Sequence, residues 1–71
     1  MEKEAIIINP LGTYIRATGM PKAKKIVNSL LKKQKVIVLN DKQVNRYYKV
    51  KVLYKNEWIY GFILAEDLKL I

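Results

Sequence analysis

The sequence predicts an all-β domain, a small barrel of five to six short strands with one 3-10 turn near the C-terminus. Three observations predict it. Runs of β-branched and aromatic residues recur between polar turns along the chain. One run, Tyr47 to Lys55, alternates apolar and basic residues with the period of a strand. And 71 residues make one small domain that hides only roughly 60% of the surface its unfolded chain exposes. Short strands in so little chain bury their apolar faces only by curling on themselves.

The elements follow in order. Ala5 to Ile8 is a β-branched run, stopped by Asn9-Pro10-Leu11-Gly12. Thr13 to Ala17 is extended and ends at the breaker Gly19-Met20-Pro21. A basic loop, Lys22-Ala23-Lys24-Lys25, leads into Ile26 to Leu31, whose spacing fits a turn or two of helix as well as an irregular strand. Val36 to Leu39 is a strand ended by Asn40-Asp41-Lys42. In the segment that follows, Tyr48, Val50, Val52 and Tyr54 share the core face, while Tyr47, Lys49, Lys51 and Lys55 share the solvent face. Leu53 is the exception on the wet side. Lys55-Asn56-Glu57 is a hairpin turn, and Trp58 to Leu64 returns as the partner strand. That strand is apolar on both faces, so part of it is covered by another element or by a ligand. Gly61 within it marks a bulge, a bend or a close backbone approach. Ala65 to Leu68 forms the 3-10 turn, and Lys69 to Ile71 a last short strand.

The composition limits the chemistry. The chain has no Cys and no His. It therefore lacks disulfides, thiolate ligands and thiol nucleophiles, as well as the commonest general base and metal ligand. Glu66-Asp67 is the only adjacent pair of carboxylates, and no glycine-rich phosphate loop is present. A Ser29–Lys25 dyad would need a helix through that segment. The expectation is a protein that is not an enzyme and holds no cofactor or metal.

The net charge is +8. Twelve of the 14 basic residues are Lys, beside 9 Ile and 5 Asn; this is the bias of A/T-rich codons, and it accounts for much of the charge as solvated lysine faces. A domain so positive still attracts polyanions in a salt-dependent way. Met1 to Ala5 carries mixed charges before a short apolar run, which is no signal peptide, and no stretch is long enough to span a membrane. A complete chain of this kind is expected in the cytoplasm. A domain excised from a longer parent is expected at the cell envelope or outside the cell.

The order of pieces resembles the bacterial Src-homology-3-like domain family. The resemblance rests on Ile15-Arg16-Ala17-Thr18-Gly19-Met20-Pro21, then on Lys25 to Val38 with its Lys-Ile-Val and Lys-Lys-Gln-Lys-Val-Ile-Val motifs. It continues in Tyr47-Tyr48-Lys49-Val50, Gly61-Phe62-Ile63 and Glu66-Asp67-Leu68. It covers roughly residues 13 to 70. Gln34 stands in place of the family's usual Gly, Tyr47 and Phe62 in place of two Trp residues, and one extra residue sits near Thr18. The Ala-Leu-Tyr-Asp-Tyr signature of proline-helix binders is absent.

What the resemblance implies is a monomeric, non-catalytic module that recognises a peptide, a wall polymer or a protein partner through an aromatic groove. Tyr14, Arg16, Tyr47, Trp58 and Phe62 are its candidate ligand-binding residues. Core packing is the competing role for Phe62, as for Tyr48 and Tyr54. A second reading is a nucleic-acid-binding basic β-barrel, with Lys49, Lys51 and Lys55 on a backbone beside a stacking aromatic. A third is a cytoplasmic protein–protein adaptor or inhibitor.

Overall fold

The structure, a computed structural model, describes residues 2–71. It is all-β, a single antiparallel sheet whose one non-strand element is a 3-10 turn, Ala65–Asp67. The strands are β1 (Lys3–Ile7), β2 (Thr13–Arg16), β3 (Lys25–Leu30), β4 (Lys35–Val44), β5 (Tyr47–Tyr54), β6 (Glu57–Leu64) and β7 (Leu68–Leu70). They lie in the order β3-β2-β6-β5-β4-β1-β7. The described hydrogen-bond ladders thus run from edge to edge and do not close into a ring, which corrects the expectation of a closed barrel.

The sheet nonetheless curls strongly. Seven strands laid flat would span about 29 Å between the outermost axes at the usual strand spacing, whereas the Cα extents are 24 × 24 × 24 Å. The inside of the curl is one apolar core to which every strand contributes. Its members are Ala5 and Ile7 of β1, Ile15 of β2, Val27 and Leu30 of β3, Val36 and Val38 of β4, Val50 and Val52 of β5, Ile63 of β6 and Leu68 of β7. Tyr48 and Tyr54 pack against its margin, as their parity predicts.

The strand count is seven rather than five to six because Lys25–Leu30 is a strand. Of the two readings open for this segment, a helix on Ile26 and Leu30 or an irregular strand, the irregular strand is the one observed. Thr13 pairs with Leu30 and Ile15 with Val27, so a bulge inserts one extra residue in β3. The inward residues are Val27 and Leu30, and Ile26 is exposed. A correction concerns β4, which runs on through Asn40-Asp41-Lys42 to Val44. It does so as an irregular ladder, with register shifts against β5 on both sides of Asn40 and an Asn40 side chain that accepts the Lys42 N–H at 2.9 Å.

Two tight hairpins set the β4–β5–β6 meander. Each has two consecutive residues at positive φ, Asn45 (51°) with Arg46 (72°) and Lys55 (52°) with Asn56 (67°). That pair of left-handed residues is the mark of a turn whose twist matches the flanking strands. The second loop is Lys55-Asn56 alone, since Glu57 already pairs with Tyr54. Gly61 keeps full register with Val50, so it makes no bulge. It marks a close approach instead: a Cβ there would fall onto Ile15 Cγ2 and lie 2.7 Å from the Arg16 carbonyl oxygen. This lets β2 lie against β6.

Candidate functional site

Strand β6 has two different faces. Gly61 and Ile63 point into the core, while Trp58, Tyr60 and Phe62 take the alternate positions and point outward. Trp58 is 50% and Tyr60 56% exposed, and Leu53, directly across from Trp58, is 49% exposed. Phe62 is half-buried. Leu53, Trp58 and Tyr60 are thus large apolar side chains exposed together on the β5–β6 pair of an otherwise cationic small protein. Exposed apolar patches of this kind, rimmed by polar groups, mark interaction surfaces.

The neighbouring strands supply cations to the same face. On β5, Lys51 pairs with Tyr60 and Lys49 with Phe62. The Lys51 ammonium sits 4.9 Å from the Trp58 ring centroid and 3.6 Å from a Glu2 carboxylate oxygen. On β2, Arg16 pairs with Phe62 from the other side. Its guanidinium donates to the Ala23 carbonyl at 2.8 Å and to the Tyr14 hydroxyl at 3.1 Å, and it lies 4.7 Å from the Tyr14 ring centroid. The Lys25 ammonium is 4.1 Å from the same ring. Each exposed cation–ring contact contributes about 0.5–1 kcal/mol, enough to orient a side chain and too little to immobilise it. Arg16 also holds the loop between β2 and β3 through Ala23, so part of its role is structural.

Four of the five residues predicted to bind ligand, Tyr14 and Arg16 of β2 and Trp58 and Phe62 of β6, therefore take outward positions on neighbouring strands, with Arg16 directly across from Phe62. Lys49 and Lys51 of the predicted lysine set join them. Lys55 does not: it sits in the hairpin turn with its ammonium 5.4 Å from the Tyr54 ring, at the core margin. Phe62 is outside the core cluster, which corrects its core-packing role.

Tyr47 also stands apart. It shares the outward parity of the lysines and pairs with Leu64, yet only 7% of it is exposed. The expectation of a solvent-facing ring is therefore corrected. The loop between β2 and β3 folds against this end of the sheet, where Asn45 Nδ2 donates to the Gly19 carbonyl at 3.2 Å. Tyr47 there lines an open cleft of about 890 Å³ together with Pro21, Arg46, Tyr48, Leu64 and Glu66.

Two residues of the face escaped the sequence reading as site residues, Tyr60 and Lys25. Tyr60 carried a signal, because β6 is apolar at both parities. Lys25 carried none, since its position over Tyr14 depends on the β2–β3 pairing. The remaining acidic groups lie elsewhere. Glu4 pairs with Lys35 at 3.5 Å and Asp41 with Lys3 at 3.3 Å, and Glu57, Glu66 and Asp67 sit at the hairpin and in the 3-10 turn. An arrangement of flat rings flanked by cations can hold a ligand that carries flat groups and negative charge. Comparison with protein-family models, with curated proteins and with solved structures returned no match to this chain.

Proposed function

We propose that this chain is a non-catalytic binding module, a curled, open sheet related to the bacterial Src-homology-3-like kind, that grips an extended ligand on the outward face of β2, β6 and β5. The observation that carries this reading is the row Trp58, Tyr60 and Phe62 on the outward side of β6, with Lys49 and Lys51 across from it on β5 and Arg16 across from Phe62 on β2. An exposed row of large aromatics costs solubility and adds nothing to the core, so its use is contact with something outside the chain. The flanking cations favour an anionic polymer over a neutral one.

The cleft at Tyr47 supports a second reading, a peptide or cell-wall fragment seated between Pro21, Tyr47, Tyr48 and Glu66. Two variants separate the two. Tyr60→Ala removes a ring from the open face and Arg46→Ala a wall of the cleft. Binding of the chain to an anionic polymer and to soluble wall peptides is measured by calorimetry for both. The face reading expects Tyr60→Ala to weaken binding at least about 5-fold, the effect of about 1 kcal/mol, with Arg46→Ala near neutral. The reverse pattern transfers the site to the cleft and overturns the face.

A further inference from the structure

We infer that the outward face of β6 is a stacking platform for single-stranded nucleic acid, with unpaired bases on Trp58, Tyr60 and Phe62 and the phosphates toward Lys49 and Lys51. This rests on the reading that the outward face is the ligand surface, and it names the ligand.

The spacing is the first reason. Alternate residues of a strand are about 7 Å apart, which leaves room for one splayed base on each of the exposed rings Trp58 and Tyr60, with half-buried Phe62 at the end of the row. The three rings lie in one line because the β5–β6 register is unbroken from Tyr47–Leu64 to Tyr54–Glu57. Every base has a flat π-face, and stacking on an aromatic side chain is tolerant of sequence.

The second reason is charge complementarity. Lys49 and Lys51 are the residues directly across from Phe62 and Tyr60, so a line of cations runs parallel to the line of rings. Among the described residues, Glu2 is the only carboxylate paired to a cation of this face. An acidic polymer without bases uses the lysines and leaves the aromatic row idle. A neutral glycan uses the rings and leaves the lysines idle. A single strand uses both. A duplex keeps its bases paired and stacked inside, so it presents no free base to Trp58 or Tyr60.

The third reason is access. The face is an open strip, without walls that would enclose a folded group, and a flexible strand is a ligand that lies along such a strip.

Trp58 is the only Trp in the chain, so its fluorescence reports the platform directly. The full chain is titrated with a short oligothymidylate, with a duplex of the same length, with an abasic oligonucleotide and with polyphosphate. The expected result is quenching of Trp58 by the oligothymidylate, at an affinity at least about 5-fold above the abasic strand, the effect of one stacked base. The logarithm of affinity should fall with the logarithm of salt concentration at a slope of about −1.4, as for two phosphates neutralised by Lys49 and Lys51 on a single strand. Tyr60→Ala should weaken the oligothymidylate about 5-fold or more and leave polyphosphate unchanged. Thermal melts of the variant establish that it folds.

Equal binding of oligothymidylate, abasic strand and polyphosphate, insensitive to Tyr60→Ala, overturns the inference. If Lys49→Ala and Lys51→Ala still weaken that binding, the face remains the ligand surface and only the ligand is wrong. If neither the ring nor the lysine variants matter for any probe, both readings fall. Self-association of the chain through this face, detected by sedimentation and abolished by Tyr60→Ala, also overturns the nucleic-acid assignment.

Discussion

The Thr13 hydroxyl donates a 2.7 Å hydrogen bond to the Asp67 carboxylate, joining the first residue of β2 to the last residue of the 3-10 turn. The other carboxylate oxygen accepts from Asn9 Nδ2 at 3.1 Å, and the Asp67 carbonyl accepts the Ile8 N–H at 2.9 Å. One acidic residue thus clamps the whole β1–β2 connection, and Thr13, only 7% exposed, has its hydroxyl satisfied there.

Asp67→Ala is expected to destabilise the fold by about 2 kcal/mol, because hydrogen bonds to a charged group are the stronger class and the buried Thr13 hydroxyl is left without its acceptor. In a domain this small that lowers Tm by about 8–16 °C. Thr13→Val removes the hydroxyl donor but keeps the Asn9 hydrogen bond to Asp67, so it should cost less than Asp67→Ala, which loses both. Thermal melts followed by circular dichroism compare the two.

Gly61→Ala should be more damaging than its one added methyl suggests. The new Cβ meets Ile15 Cγ2 and the Arg16 carbonyl, and the second of these is backbone in the adjacent strand. The cost expected of such overpacking is about 1–3 kcal/mol, and it falls on the β2–β6 pairing. Hydrogen exchange at β2 amides should rise more than at β4 amides.

Arg46→Gly should stabilise. Arg46 has φ of 72°, a conformation that costs a residue with a Cβ about 1–2 kcal/mol, and the substitution creates the Asn-Gly pair this kind of hairpin favours. The Arg46 carbonyl keeps its hydrogen bond from the Ala65 N–H. A gain of about 1 kcal/mol, or about 4–8 °C in Tm, is expected in the same melts.

Core and face should separate in the same assay. Ile63 is fully buried, so Ile63→Ala should cost about 2–5 kcal/mol, a large part of the about 4–10 kcal/mol that a chain of this length typically has. Tyr60→Ala, at a half-exposed position, should change stability by less than about 0.5 kcal/mol while reducing ligand binding.

The sequence was most legible where one face is wet and the register regular. Val50 and Val52 lie inside and Lys49 outside as the alternation of β5 requires, and the 3-10 turn falls within the predicted Ala65 to Leu68. It was least legible where the ladder is irregular. The β3 bulge makes its strand irregular, so Ile26 and Leu30 allow a helix beside the strand that forms, and Asn40-Asp41-Lys42 has the composition of a turn although β4 continues through it. Tyr47 shows a different limit. Parity placed it on the lysine face correctly, but the loop that folds against that end buries it, and no local pattern encodes such a long-range contact. The resemblance selected Tyr14, Arg16 and Phe62, and Trp58 stood out as the lone Trp beside the hairpin; the placing of Arg16 across from Phe62 follows from the β2–β6 pairing, in which Gly61 has a necessary place.

Ligand contact with the outward aromatic face is read residue by residue in amide chemical shifts. A ¹⁵N-labelled chain is titrated with the oligothymidylate. The largest shifts are expected at Lys49, Lys51, Trp58, Tyr60 and Phe62, with smaller ones at Tyr14 and Lys25. Shifts confined to Gln43, Arg46, Tyr48 and Glu66 around the cleft, or the absence of any shift, would contradict contact at that face.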